Sequence, residues 1–211
     1  MILGLNLATS FPSCVIIQDG KLVLDRFFDL KPEKGGVNNL NHYMRSIFQE
    51  FDKKEIKEIL CCVGPGGFTG IRAGLSYAQG LSLGFGIPLR GFNSFDIYEH
   101  QAEDEIICID SKRMELFFKV KNDYKILTIE EFSHFYQGEV VGDFAFDLEK
   151  KYNNLIYKEL NHSIAPLMLA YAKGEFILAG NDKKYPEPFY MREADISQTK
   201  QQNRRIEGDL I

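Results

Sequence analysis

Apolar and polar positions along this 211-residue chain switch repeatedly between a two-residue and a helical period. Residues 2–7 are an apolar run that predicts a strand. Residues 13–18 and 21–28 alternate or run apolar on either side of Asp19-Gly20, which predicts an antiparallel hairpin. The stretch 31–36, with Pro32, Gly35 and Gly36, predicts a loop. Across 37–51, Leu40, Tyr43, Met44, Ile47, Phe48 and Phe51 recur along one helical face, with Asn38 or Asn39 available as the cap. Residues 57–63 read as a strand buried on both faces. Residues 69–85 predict a helix, roughly 25 Å long, that is apolar nearly all round and so largely buried. Gly70, Gly74, Ala78 and Ser82 recur every fourth position on it, a ridge on which a second helix can pack closely. That helix is either 37–51 of the same chain or one from another subunit.

A strand at 88–92 and a helix at 94–101, capped by Asn93 or Ser94, complete this first unit. A second unit begins near 103. It has strands at 105–109, 115–121 and 125–129, a helix at 130–136, a short strand at 139–141, and helices at 144–152 and 163–172. The order strand–strand–strand–helix–strand–helix recurs there in eroded form. The expectation is an α/β fold with mixed sheets in two lobes, 1–102 and 103–211. A polar tail from about 197 is expected to fray.

Between the strand at 57–63 and the helix at 69–85 lies Gly64-Pro65-Gly66-Gly67-Phe68-Thr69-Gly70-Ile71-Arg72. Four glycines weaken either neighbouring element, so they serve a tight turn and close approach of backbone to something. A phosphate at the helix N-terminus fits, and so does another chain. The string lacks the lysine of a Walker loop.

The same string, continued by Leu75 to Leu81 and by Gly86-Ile87-Pro88, resembles the TsaB (YeaZ) family. The opening Ile2-Leu3-Gly4-Leu5-Asn6-Leu7-Ala8-Thr9-Ser10, the segment Ile107 to Glu115, and Pro188-Phe189-Tyr190-Met191-Arg192 are similar to further motifs of that family. The resemblance covers about residues 1–120 and is thin over 121–185. It implies an actin-like (ASKHA) fold and a non-catalytic subunit of the bacterial machinery that installs threonylcarbamoyl on adenosine 37 of tRNA. The chemistry is then done by a paralogous partner, TsaD, with TsaE in the larger complex. TsaB pairs with TsaD through the first two helices of the N-terminal lobe. Carried onto this sequence, that interface is Leu40, Tyr43, Met44, Ile47, Gly70, Arg72, Gly74, Tyr77 and Ala78. The same face serves a homodimer when the chain is alone. Contact with tRNA is indirect or weak, and ATP or ADP enters only at the level of the complex.

Candidate chemistry is sparse. Asn6 stands where actin-like kinases, and the usual family pattern, place an aspartate near Mg²⁺, and an amide is a poor ligand for a hard dication. Thr9, Ser10, Gly66 and Gly67 are the candidate nucleotide or anion contacts, although hydroxyls at a turn also cap it. His42 has Ser46 rather than a second histidine at i+4, so no metal and no catalytic residue is assigned. Val37-Asn38-Asn39 replaces the family's His-Ser-Glu. Arg72 opposes the helix dipole, which suits an anionic partner, or a stem packed on the loop. Asp110, Lys112 and Arg113 form a turn between lobes. The alternatives are an ATP-dependent small-molecule kinase and a peptidase.

A net charge of −5 supplies no field for nucleic acid, and Lys53-Lys54, Lys183-Lys184 and Arg204-Arg205 read as solvated surface. Cys14, Cys61, Cys62 and Cys108 lie in apolar runs without a C-x-x-C, as expected of small buried hydrophobes in a reducing compartment. No apolar run reaches membrane-spanning length. The expected location is cytoplasmic.

Overall fold

The computed structural model describes residues 1–30, 35–102, 106–113, 115–121, 123–144, 152–178 and 185–192. Strands β1 (Ile2–Asn6), β2 (Ser13–Gln18) and β3 (Lys21–Phe27) form the expected meander. Asp19 and Gly20 both take positive φ, 51° and 72°, as a two-residue hairpin requires when it closes between Gln18 and Lys21. Helix α1 (Leu40–Glu50), strand β4 (Glu58–Cys62), helix α2 (Phe68–Phe85), strand β5 (Leu89–Phe92) and helix α3 (Ser94–Glu99) follow. The sheet order is β3-β2-β1-β4-β5, antiparallel through the meander and parallel at β1–β4 and β4–β5.

The second sheet repeats this plan. Strands β6 (Ile106–Asp110), β7 (Glu115–Val120) and β8 (Asp123–Thr128) form a meander. Helix α4 (Ile129–Phe135), strand β9 (Gly138–Gly142) and strand β10 (Leu155–Tyr157) follow. The order β8-β7-β6-β9-β10 matches the first sheet strand for strand, with β6–β9 and β9–β10 parallel. The eroded copy in the sequence is thus a duplicated topology, the actin-like architecture. Helix α5 (Ala165–Lys173) leaves the second sheet and packs on the first. A Cβ on Gly4 would press on Met168, with Cε and Sδ each 2.8 Å away, and on Ile164. Leu7, in phase with Leu3 and Leu5 on the other face of β1, meets Gly74 of α2. β1 is therefore covered on both sides.

Two local expectations change, and the choice of cap at α3 is decided. Asn39 stands at the N-cap of α1 in helical φ/ψ and makes no side-chain cap. A 3₁₀ turn, Gly36–Asn39, leads into the helix instead, and Leu40 N–H donates to Val37 O. At α3, Asn93 rather than Ser94 caps, in a reciprocal box with Asp96. Ser94 instead donates to Pro65 O at 2.6 Å. Finally, α2 is not buried all round. Ile71, Gly74, Leu75, Ala78 and Ser82 face inward, while Arg72, Ser76, Gly80, Leu83 and Gly84 are exposed. The helix expected at 144–152 falls almost entirely outside the described residues, as does the tail from 197.

Candidate functional site

The glycine loop approaches the chain's own backbone. A Cβ on Gly66 would overlap Ala8 O, and one on Gly70 would overlap Leu7 O. A Cβ on Gly64 would lie 2.8 Å from Phe189 O. Gly67 N–H donates to Ala8 O at 2.8 Å, and Phe189 N–H to Val63 O at 2.8 Å. The loop is wedged between the β1–β2 turn and the segment 185–192, with backbone on both sides.

The β1–β2 turn is organised by Asn6, which is fully buried. Its Oδ1 accepts from Ala8 N–H at 3.1 Å, and its Nδ2 donates to Thr9 Oγ1 at 2.8 Å and to Phe11 O at 3.3 Å. Thr9 is itself buried, and its Oγ1 also accepts from Phe11 N–H. Asn6 and Thr9 are therefore turn-capping groups. Within the turn Thr9 Oγ1 accepts twice and keeps its O–H to donate, while the Gly67 N–H is bonded to Ala8 O. Gly66 is buried under Ala8.

The equivalent turn of the second lobe, after β6, faces the first. Asp110 Oδ1 accepts from Lys112 N–H at 2.7 Å, the counterpart of the Asn6–Ala8 bond. Lys112 Nζ pairs with Asp110 Oδ2 at 3.0 Å and donates to Ser10 Oγ across the gap. Asp143, just past β9, accepts from Ser10 N–H at 2.8 Å with Oδ2 and from Asp110 N–H at 2.7 Å with Oδ1. Burial pushes its carboxyl up to about 6, against the lowering effect of those two N–H groups and Lys112. A groove of about 930 Å³ runs from these turns past the start of α2 to Asp29 and Val37.

Ser10 thus contacts a carboxylate through its N–H and an ammonium through its hydroxyl oxygen. Among the described residues the Ser10 hydroxyl is bonded to Lys112 and to no basic side chain that could take its proton. Lys112 is held by Asp110, and an ion-paired ammonium donates protons rather than accepting them. Of the histidines, His162 stacks on Phe11 at 3.7 Å and bonds Tyr98 OH at 3.0 Å. Burial lowers its pKa, which keeps it neutral. Among the described residues no three His, Cys, Asp or Glu side chains converge on a metal position. All four cysteines are free and buried, and burial raises every thiol, Cys62 to about 12. No described helix is long and apolar enough to cross a membrane.

The expected interface residues divide. Leu40, Met44, Ile47, Gly74 and Ala78 are buried inside the chain, so they build the core beneath the two helices and present nothing to a partner. Gly70 backs onto Leu7 O. Tyr43 is half-buried against Phe28, and its hydroxyl bonds the backbone of Asp29. The start of the small-residue ridge, Gly70 and Gly74, therefore fits against Leu7 at the β1–β2 turn, and Ala78 and Ser82 are buried further along. Arg72 remains exposed, its guanidinium 3.8 Å above the Phe68 ring and its Nε donating to Tyr190 OH at 3.0 Å. Tyr77 stays half-open, beside half-buried Ala73 and Leu81. Phe48 of α1 meets Phe85 of α2 edge to face at 6.2 Å. Gly80 and Gly84 have open space where a Cβ would stand. The outer side of the helix pair, with exposed Leu83, was missed because the apolar count did not separate its two faces. Asp143 was missed too. Its signal was positional, since Asp143 follows β9 as Val63 follows β4.

The model of the family described as TsaD, tRNA N6-adenosine threonylcarbamoyltransferase, matches residues 33–185. A curated relative, the tRNA threonylcarbamoyladenosine biosynthesis protein TsaB of Haemophilus influenzae, is 29% identical over 138 residues. That match covers 62% of this chain and spans 57% of the relative. A Pseudomonas aeruginosa protein, described by its similarity to peptidase YeaZ, superposes with a TM-score of 0.63 at 19% identity over 90% of this chain and 99% of that one. YeaZ from Pseudomonas aeruginosa gives 0.60 at 19% identity, over 84% and 95%. At that identity the two structures establish the fold.

Proposed function

The chain belongs to the TsaB (YeaZ) family of tRNA threonylcarbamoyladenosine biosynthesis, within the wider TsaD family, and from that premise we propose that it is a non-catalytic subunit that binds and activates TsaD through α1 and α2. The observation that carries this reading is the outer side of α2, where Tyr77, Leu81 and Leu83 flank Gly80 and Gly84, whose open Cβ positions admit a close-packed helix. The internal bonding of Asn6, Thr9 and Gly67 favours a supporting role over catalysis. TsaE joins at the level of the larger complex, where ATP or ADP also enters, and tRNA contact is indirect. Without TsaD, the same outer side supports a homodimer. The site of action is the cytoplasm.

Size-exclusion chromatography with light scattering tests this, on the chain alone and mixed with the TsaD of its own organism. A one-to-one complex that replaces a homodimer is expected. Leu83→Glu and Gly80→Arg, both at exposed positions, are expected to abolish the complex while the far-UV spectrum stays unchanged. An intact complex with both variants overturns the interface.

A further inference from the structure

We propose that the cavity between the start of α2, strand β7 and the segment 185–192 is a binding site for a small aromatic monocarboxylate, with the ring inside and the carboxylate at the mouth. It lies apart from the outer side of α2 offered to TsaD and does not depend on that reading.

The walls come from both lobes. Pro65 and Ile71 belong to the glycine loop and the first turn of α2, Phe117 to β7, and Phe189 and Met191 to the segment 185–192. Pro65, Ile71 and Phe117 are buried and form the floor, while Phe68 and Tyr190 are exposed and form the lips. Arg72 holds the lips in place, its guanidinium 3.8 Å above the Phe68 ring and its Nε donating to Tyr190 OH. The two ring centroids are 5.2 Å apart.

The polar groups of these walls are already engaged. Pro65 O accepts from Ser94 Oγ, Phe189 N–H donates to Val63 O, and Ser111 Oγ donates to Glu115 O. A nucleobase or a sugar would strand its hydrogen-bonding edges here, a cost that an all-carbon ring avoids. The volume is about 140 Å³, close to that of an apolar cavity that takes one benzene molecule.

The other end of the ligand follows from the mouth. Arg113 and Arg192, both exposed, line it, and among the described residues no lining side chain is acidic. A guanidinium has five N–H groups and serves several acceptors at once, and its planar fork matches the two oxygens of a carboxylate. The carboxylate of Glu115 already takes one N–H of Arg192 in this way, at 2.7 Å.

Methyl NMR of the full-length chain tests this, with phenylacetate as the probe, 2-phenylethanol as its uncharged counterpart and acetate as the acid without a ring. Phenylacetate is expected to shift the Ile71 and Met191 methyl signals saturably, with a Kd on the order of millimolar for so few atoms. The methyls of Leu3 and Ile59 stay unmoved as controls. 2-Phenylethanol is expected to bind about tenfold more weakly, as loss of a charge-assisted hydrogen bond implies, and acetate to shift neither signal. In Arg113→Gln the preference for acid over alcohol is expected to fall several-fold, with binding of the alcohol unchanged. In Met191→Trp the indole fills the cavity, and both ring compounds are expected to lose binding. No shift, or shifts that grow linearly without saturation, overturn the site whether or not either variant folds. Equal binding of acid and alcohol in the wild type overturns the carboxylate, and so does an unchanged preference in folded Arg113→Gln. Undiminished binding in folded Met191→Trp overturns the cavity as the place.

Discussion

At the scale of single residues, Gly70 and Gly80 lie on one helix and serve opposite ends. An added methyl at Gly70 strikes Leu7 O, a backbone atom of the β1–β2 turn that cannot swing aside. Gly70→Ala is therefore expected to cost about 3 kcal/mol, as overpacking of a tight backbone contact does. At Gly80 the same methyl meets nothing. Gly80→Ala is expected to add about 0.5–1 kcal/mol through helix propensity. Denaturant midpoints followed by circular dichroism distinguish the two, and equal effects would mean that the loop does not grip the turn. Four glycines in one short string announced a close approach, but spacing alone cannot tell a ligand from the chain's own backbone. Asn6 was legible as a poor metal ligand, while its role in folding the turn needed the positions of Ala8, Thr9 and Phe11. Asp143 left no local pattern, since its partners are far away in sequence.

At the scale of elements, periodicity located nearly every described strand and helix within a residue or two. The Asp19-Gly20 hairpin and the broad apolar face of α1 were readable because turn chemistry and repeat agree there. β10 escaped because three residues, Leu155–Tyr157, are too few to alternate visibly. The burial of α2 was overestimated because Gly, Ala and Ser count as apolar yet also line its outer side. The segment 185–192 has no regular structure, but it is bound along its length. Pro186 fits against Gly91, Phe189 N–H bonds Val63, Tyr190 bonds Arg72, and Arg192 pairs with Glu115 of β7 at 2.7 Å. The Phe189 ring meets Tyr124 edge to face, so this segment ties α2 and β8 together. Phe189→Ala is expected to cost about 2 kcal/mol and to lower Tm by about 4–8 °C. A thermal melt unchanged from wild type would show that the segment rests on the surface without holding it.

At the scale of the whole molecule, the duplicated sheet plan was visible as a repeated order of elements, and the family resemblance implied the actin-like class. The two-lobe division at about 102 marks where one sheet gives way to the next, yet α5 and the segment 185–192 return to the first sheet. That return was not legible, because an apolar helix carries no mark of which sheet it covers. With Asn6, Thr9, Gly67 and the N–H groups of Ser10 and Asp110 all bonded internally, titration of the isolated chain with Mg-ATP is expected to give no saturable heat. A saturable isotherm would instead favour the kinase reading.

The position of α5 also governs how the protein comes into being. β1 has one flank that Ile164 and Met168 close, and those residues are made about 160 positions after it. Until they are made the hairpin can pair but cannot be sealed, and its apolar flank stays in contact with water and with chaperones. A premature stop codon between β3 and Ile164 therefore yields a sticky fragment rather than a smaller working lobe.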